Sequence, residues 1–160
     1  MRPSLLFMTE EKRRARPAAQ YGPTAAAVAA NVARMRKARG WSIYALAGAL
    51  EKAGRPITPS AIAKVEKQQR QVTVDDLTAF AAVLRVNPSA LLLPFTDDPS
   101  ETIEITGVGQ VDAERAWDWA DGEMPIEYVE PGDPTAALLQ FQVYARPAGR
   151  RVQLAPGGED

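Results

Sequence analysis

Between residues 24 and 94 the sequence consists of short apolar repeats at helical spacing, each bounded by residues that start or end a helix. Side chains that accept a hydrogen bond at a helix N-terminus alternate there with glycines and prolines that stop a helix. Helices this short bury their apolar stripes only by packing on one another. The pattern therefore predicts a compact unit of five helices. Their predicted caps are Thr24, Ser42, Thr58, Thr73 and Asn87.

Within each segment, the side chains expected in the core recur every three or four residues. The third segment also has an outward face of small and polar residues, with two lysines and no acid. In the fourth segment, Asp76 follows Thr73 at the spacing of a capping box. Gly40 and Gly54 are the predicted stops of the first and second helices. The predicted core residues are Val28, Val32, Met35, Ile43, Leu46, Ala47, Leu50, Ile62, Val65, Leu77, Phe80, Ala81 and Leu84.

The formal net charge of −1 conceals a strong separation of sign along the chain. Residues 1–90 hold 15 Lys and Arg against 6 Asp and Glu, whereas residues 91–160 hold 4 against 14. The two net charges are therefore +9 and −10. A basic segment followed by an acidic one indicates that the first half binds an anionic partner such as nucleic acid.

The sequence contains neither cysteine nor histidine. This excludes a disulfide framework, a thiolate nucleophile, a Cys/His zinc site and a Ser-His-Asp triad. The acids between residues 112 and 123 match no metal-binding loop, and we interpret them as a solvated helix face. An enzyme would need a pocket of paired carboxylates that the sequence does not indicate. We therefore expect a binding protein with no catalysis, no cofactor and no metal.

The stretch from Asn31 to Pro94, about two-fifths of the chain, resembles the helix-turn-helix domain of the lambda-repressor/Cro type, often called the XRE family. The resemblance is distributed over many positions rather than confined to one short string. It implies a mainly α fold, in which a five-helix domain precedes a small acidic region. The residues that carry the resemblance are Arg36, Arg39, Gly40, Trp41, Ser42, Leu46, Ala47, Thr58, Ala61, Ile62, Val65, Glu66, Asp76, Leu77, Phe80, Ala81, Leu84 and Val86.

The resemblance implies that double-stranded DNA is the partner and that the third helix lies in its major groove. Pro59, Ser60 and Lys64 are the implied base-facing residues, and Lys64 can donate to O6 or N7 of guanine. Glu66 is implied to form a structural ion pair with Arg36. The start of the second helix and the loop after the third would contact phosphates. The implied phosphate contacts are Ser42, Lys67, Gln68, Gln69 and Arg70.

Three features depart from the family pattern. The link between the second and third helices, Glu51 to Ile57, is longer than the usual tight turn. Pro59 replaces a long polar side chain that often contacts a base. Gln68 stands where the family commonly has glycine. We therefore expect direct readout of base sequence to be weaker than is usual in the family.

Residues 1–23 are rich in arginine and proline, and this composition predicts a flexible basic arm. Arg13, Arg14 and Arg16 can enter a minor groove or add affinity for any sequence. Met8 is an alternative start of the chain. No stretch has the length of a signal-peptide core or a membrane span, so we expect a cytoplasmic protein that does not bind a membrane.

Residues 95–146 form the acidic C-terminal region, in which one strand and one or two helices are expected. Glu101 to Val108 alternates in the manner of a strand, and Asp112 to Asp121 is interpreted as an acidic helix. Residues 134–146 fit either a helix or a strand, and we favour a helix. The Gly/Pro-rich tail 147–160 is expected to be disordered.

Five aromatic residues of the acidic region suit either of two roles. They form a small core packed against the helical unit, or they contribute to a dimer interface or a ligand pocket. They are Trp117, Trp119, Tyr128, Phe141 and Tyr144.

These features favour a DNA-binding transcriptional regulator that represses by occupying an operator as a homodimer, because one recognition helix contacts only one half-site. Residues 24–94 are the predicted DNA-binding domain, and residues 95–146 serve dimerisation or regulation. The alternative is an antitoxin-like or anti-regulator protein whose acidic region binds a partner protein. A further hypothesis is that the acidic region folds back on the basic half and opposes DNA binding.

Overall fold

The computed structural model describes residues 21–127 and 133–151 of the chain. Within these ranges the chain forms seven α-helices, one two-stranded antiparallel sheet and a single 3-10 turn, which confirms the predicted mainly α fold. Residues 1–20 of the predicted arm, with Arg13, Arg14 and Arg16, lie outside the described residues, as does Tyr128, whereas Pro23, the last residue of the predicted arm, belongs to the first helix. The elements are α1 (Pro23–Ala38), α2 (Ile43–Lys52), α3 (Pro59–Glu66), α4 (Val74–Val83), α5 (Ser89–Leu92), β1 (Thr102–Ile105), β2 (Gly109–Asp112), α6 (Ala113–Ala120), α7 (Pro134–Ala145) and the 3-10 turn Ala148–Arg150.

Helices α1 to α5 pack around one apolar core, which consists of predicted core residues together with Ile57 and Leu91, which were not predicted. Leu46 and Phe80 are fully buried there. Ile43, Ala47 and Leu77 are only partly buried at its edge, whereas the other predicted core residues are buried. Helix α2 contacts α3 and α4, and α1 contacts α3 and α5. This arrangement fixes α3 with one face against the core and the other outward.

The predicted caps of α2, α3 and α4 are present. The hydroxyl oxygens of Ser42, Thr58 and Thr73 accept hydrogen bonds of 3.1, 3.2 and 3.1 Å from N–H groups three residues ahead. At the start of α5, Asn87 Oδ1 accepts from the N–H of Ala90 at 3.1 Å. These short-range bonds explain why the starts of the four helices could be predicted from sequence.

The prediction that Thr24 caps the first helix is wrong. Helix α1 begins at Pro23 with Gly22 as its N-cap, because proline has a suitable fixed φ and lacks the N–H that a first-turn residue leaves unpaired. Thr24 instead exchanges two hydrogen bonds with Thr106. The N–H of Thr106 donates to Thr24 Oγ1 at 3.0 Å, and the N–H of Thr24 donates to Thr106 Oγ1 at 3.4 Å. Thr24 thereby ties α1 to the turn between β1 and β2.

The link between α2 and α3 begins with a turn that Gly54 permits. Gly54 has a φ of +81°, and its N–H donates to the carbonyl of Glu51 at 3.0 Å. The N–H of Arg55 donates to the carbonyl of Leu50, also at 3.0 Å. The two bonds form a Schellman motif, which ends α2 and directs the chain toward the cap of α3.

Asp76 does not complete the predicted capping box. Its side chain is 2% exposed, and its two oxygens accept from Arg55 Nε at 2.9 Å and from Arg70 Nη2 at 3.1 Å. A buried carboxylate requires such partners, and aspartate is too short for the usual reach back to the cap. The two ion pairs fasten the α2–α3 link and the loop after α3 to the start of α4.

The C-terminal region contains a hairpin where the sequence predicted a single strand. Strand β1 ends at Ile105, a turn with Gly107 at φ +84° follows, and β2 pairs with β1 in the register Thr102 to Asp112 and Ile103 to Val111. Strand β2 was missed because its four residues contain one apolar side chain and show no alternation. Helix α6 packs on the hairpin around a second core. The buried residues of this core are Leu93, Ile103, Ile105, Ala113 and Ala116.

Residues 134–145 form a helix, as we favoured, but the chain remains ordered beyond it. Gln142 of α7 is buried, and its Nε2 donates to the carbonyls of Gly122 at 2.8 Å and Glu123 at 3.1 Å. The 3-10 turn lies in the segment expected to be disordered. It is held because Arg151 donates to the carbonyls of Val143 at 2.9 Å and Arg146 at 3.0 Å. Residues 152–160 lie outside the described ranges.

Asn31 joins the two cores. Its side chain is buried, and its Nδ2 donates to the carbonyls of Leu91 at 3.1 Å and Leu93 at 2.6 Å. Ser89 adds a second connection, because its hydroxyl donates to the carbonyl of Ala120 at the end of α6 at 3.2 Å. The C-terminal region is therefore attached through α1 and α5, and the outward face of α3 is left exposed.

Candidate nucleic-acid interface

Helix α3 exposes one face because its other face is anchored in the core. Ile62 and Val65 are buried on the inward side. Ser60, Lys64 and Lys67 are exposed and recur at intervals of four and three residues, so they lie on one side of the helix. This outward face contains two ammonium groups and a hydroxyl, which can donate to base edges and phosphate oxygens.

The acid of α3 is neutralised by an arginine of α1. Glu66 Oε1 accepts from Arg36 Nε at 2.6 Å, and Glu66 Oε2 accepts from Arg36 Nη2 at 2.8 Å. Both side chains are 11% exposed, and Arg36 Nη1 also donates to the carbonyl of Trp41 at 2.7 Å. The hydrogen bond with Glu66 raises the pKa of Arg36 above its ordinary value, so the guanidinium keeps its charge. The pair fixes α3 against α1 and the start of α2.

The start of α2 contributes an exposed aromatic residue that the sequence analysis missed. Ser42 is exposed, and next to it on α2 the side chain of Tyr44 is 77% exposed. Tyr44 and the half-buried Pro59 both line a groove of about 350 Å³ between α2 and the link into α3. The signal in the sequence was an aromatic residue on the face of α2 opposite Leu46 and Leu50. A tyrosine hydroxyl there can donate to a phosphate.

The loop after α3 has a left-handed residue at the position of the family glycine. Gln68 has a φ of +58°, its N–H donates to the carbonyl of Val65 at 2.9 Å, and the N–H of Gln69 donates to the carbonyl of Lys64 at 2.7 Å. This is the same Schellman geometry that Gly54 gives to α2. Lys67, Gln68 and Gln69 are all exposed in this turn, directly beside the outward face of α3.

Arg70 differs from the other implied phosphate contacts. Its side chain is 35% exposed, and its Nη2 lies 3.1 Å from Asp76 Oδ2. Substitution of Arg70 would therefore remove one of the two arginines that neutralise a buried carboxylate. Lys67, which is exposed, is the cleaner residue for testing phosphate contact.

Among the aromatic residues of the C-terminal region in the described ranges, the two tryptophans belong to a core. Trp117 and Trp119 pack against the second core, and Trp117 Nε1 donates to the carbonyl of Thr96 at 2.8 Å. Trp119 and Phe141 line a cleft of about 1140 Å³ between the helical domain and α7. Tyr144 is 85% exposed and belongs to neither core. Among the described residues, no group of three or more acids is placed to hold a metal ion.

Comparison with known protein families matches residues 32–91 to the helix-turn-helix family. No curated protein and no solved structure matches the chain. The matched residues run from the middle of α1 to α5, and they include the whole of α2 and α3. No helix in the described part of the chain is long and apolar enough to cross a bilayer. Residues 32–91 are therefore a helix-turn-helix domain of the lambda-repressor/Cro-like XRE family, and the chain is in general terms a DNA-binding transcription regulator.

Proposed function

We propose that the chain is a sequence-specific repressor that binds an operator as a homodimer. The observation that carries this proposal is the outward face of α3, where Ser60, Lys64 and Lys67 are exposed together. Glu66 is the only acid between residues 52 and 74, and Arg36 neutralises it. An exposed basic helix face without unpaired acid suits insertion into the major groove.

In this proposal the first turns of α3 contact the bases. Lys64 donates to O6 or N7 of guanine, and Ser60 serves as donor or acceptor for several bases. Pro59 offers only apolar contact, such as the methyl group of thymine. Because Lys64 is the one long side chain in this group, we expect a preference centred on guanine and tolerance at the neighbouring positions.

The phosphate contacts surround this base-facing group. Ser42 and Tyr44 at the start of α2 contact one strand, and Lys67, Gln68 and Gln69 in the turn after α3 contact the backbone on the other side. Arg70 supports this turn through Asp76 and adds positive charge at its edge. Arg13, Arg14 and Arg16 follow the adjacent minor groove or the phosphates beside it.

Repression follows from occupancy of the operator, because steric exclusion of polymerase requires no further activity of the protein. A dimer supplies two recognition helices for two half-sites and so gains specificity that one helix lacks. Residues 24–94 then serve as the DNA-binding domain, and residues 95–146 serve dimerisation or regulation, without catalysis.

The competing function is an antitoxin-like or anti-regulator protein whose acidic region binds a partner protein. The net charge of −10 in residues 91–160 favours it, because a basic protein surface would be attracted to this region. The two functions differ in whether the chain selects a DNA sequence without any partner.

Selection of bound sequences from a pool of randomised duplexes tests the proposal. We expect enrichment of an inverted repeat, and a reporter promoter that overlaps this repeat should lose transcription when the chain is present. Lys64→Ala should broaden the enriched sequences, whereas Lys67→Ala should weaken binding to all sequences alike. Arg85→Gly, which removes a cation at the end of α4, is the control and should change neither. Absence of enrichment with the purified chain would favour the competing function.

A further inference from the structure

Helix α7 has an exposed side that no element in the described ranges covers. Five residues of this side recur at i, i+3, i+4, i+7 and i+8, the spacing of a continuous helix stripe. Leu139, Val143 and Tyr144 are 37%, 50% and 85% exposed. The α7 stripe consists of Ala136, Leu139, Gln140, Val143 and Tyr144.

The opposite side of α7 attaches the helix to the protein. Gln142 is buried there through its bonds to the carbonyls of Gly122 and Glu123, and Leu138 and Phe141 are half-buried beside it. Helix α7 is therefore fixed by one side, while the side that carries the stripe faces solvent. No residue between 134 and 145 is charged, so a second helix can cover the stripe without burying an ion.

Charges of opposite sign flank the stripe at its two ends. Asp133 is exposed before α7, and its Oδ1 accepts from the N–H of Thr135 at 2.9 Å. Arg146, Arg150 and Arg151 follow the helix at its other end. Two copies of α7 in antiparallel orientation bring the acidic end of each beside the basic end of the other. A parallel pair would instead bring like charges together.

We propose that the α7 stripe is the dimer interface and that α7 of a second copy occupies it in antiparallel orientation about a twofold axis. This inference rests on the proposed function, because it names the partner that an operator with two half-sites requires. Leu139 and Gln140 lie nearest the axis. The small Ala136 faces Val143 and Tyr144 of the other copy, so a short side chain meets long ones. A single self-complementary patch on each copy is what a twofold dimer needs.

The size of the stripe fits a weak dimer. Five side chains per copy are fewer than the roughly 20–30 residues a side of a standard stable interface. We therefore expect monomer and dimer to exchange at micromolar concentrations in the absence of DNA. Binding to adjacent half-sites would then add to the dimer contact by raising the effective concentration of the second copy.

Sedimentation of the full chain without DNA, over a range of concentrations, tests the interface. Tyr144→Glu and Leu139→Glu should each weaken dimerisation at least about tenfold, because each buries a charge in an apolar contact. Val74→Glu is the matched control, since Val74 is 78% exposed on α4 and lies outside the stripe. A chain that is monomeric at every concentration, or dimers that Tyr144→Glu leaves unchanged, would overturn the proposal.

Cysteine cross-linking tests the orientation, because the chain has no cysteine of its own. Gln140→Cys should cross-link to a second copy of itself at the axis. Ala136→Cys should cross-link when mixed with Val143→Cys but not with itself. Self-linking of Ala136→Cys without the mixed product would contradict the antiparallel arrangement.

Duplex binding by the same variants separates failure of the interface from failure of the function. Tyr144→Glu should keep its affinity for a single half-site and lose cooperative binding to the inverted repeat. A wild-type chain that binds no duplex contradicts the proposed function. A chain that binds duplexes while its dimers ignore the stripe variants contradicts the interface alone.

Discussion

Gln68 and Arg85 carry side chains at backbone positions that favour glycine. Their φ values are +58° and +52°, and each closes a Schellman motif at the end of a helix, α3 for Gln68 and α4 for Arg85. A residue with a Cβ in the left-handed region costs about 1–2 kcal/mol, which the surrounding structure must offset. At Gln68 this cost falls in the turn that we propose contacts phosphate, whereas Arg85 bears the same cost at a position to which we assign no contact with DNA.

Gln68→Gly should raise the free energy of unfolding by about 0.5–1 kcal/mol. Glycine removes the backbone strain from the folded state, and it also raises the conformational entropy of the unfolded chain. The free energy gained from the first effect exceeds the free energy lost to the second. Urea denaturation measures the change, and Arg85→Gly should stabilise by a similar amount. If Gln68 contacts phosphate, only Gln68→Gly also weakens DNA binding. A destabilised Gln68→Gly would contradict the strain assigned to this turn.

Glu66→Gln should lower the free energy of unfolding by about 2 kcal/mol. It leaves the guanidinium of Arg36, 11% exposed, without its opposite charge. Glu51→Gln, at an exposed position on α2, is the matched control and should change stability by less than about 0.5 kcal/mol. The measurement is the shift in urea midpoint. Equal shifts for the two variants would show that the pair does not stabilise the contact between α1 and α3.

For the helices and strands, sequence reasoning succeeded where the signal is local. The starts of α2, α3 and α4 depend on hydroxyl caps and an N–H three residues ahead, and the sequence shows both. The two bonds of Asp76 could not be predicted in this way, because its partners Arg55 and Arg70 lie 21 and 6 residues away, in the links before and after α3. The start of α1 was displaced because Pro23 outweighs the cap signal of Thr24.

In the candidate site, too, local patterns could be predicted from the sequence and contacts that depend on packing could not. The outward positions of Ser60 and Lys64 follow from helical period and the buried Ile62. The engagement of Arg70 with Asp76 and the exposure of Tyr44 depend on how the elements pack. Strand β2 was missed for another reason, since its pairing with β1 rather than its own sequence defines it.

Asn31→Ala should destabilise the protein by about 2–4 kcal/mol. The change removes both hydrogen bonds from Nδ2 and leaves the carbonyls of Leu91 and Leu93 without them. These carbonyls lie where α5 leads into the second core, so the junction of the two cores should loosen first. Hydrogen exchange should show faster exchange in β1 and α6 than in α2 and α3. Uniform acceleration throughout the protein would contradict this role of Asn31.

In the described part of the chain, the acidic region joins the basic domain without covering the outward face of α3. The acidic C-terminal region attaches through α1 and α5, by Asn31, Ser89 and Thr24. Ser60 and Lys64 of α3 remain exposed. Among the described residues the acidic region does not lie over α3, so we propose that it opposes DNA binding through its net charge of −10 rather than by contact with α3.

We propose that the outward face of α3 binds DNA, and the dependence of the affinity on salt concentration measures this binding. Fluorescence anisotropy of the full chain with a random-sequence duplex gives the slope of log K against log salt concentration. We predict a slope of roughly −5 to −7, as six to eight phosphate contacts imply. Lys67→Ala should make the slope shallower by about 1 per bound copy, whereas Arg85→Gly should match the wild type. No binding at low salt, or a slope that Lys67→Ala leaves unchanged, would contradict the claim.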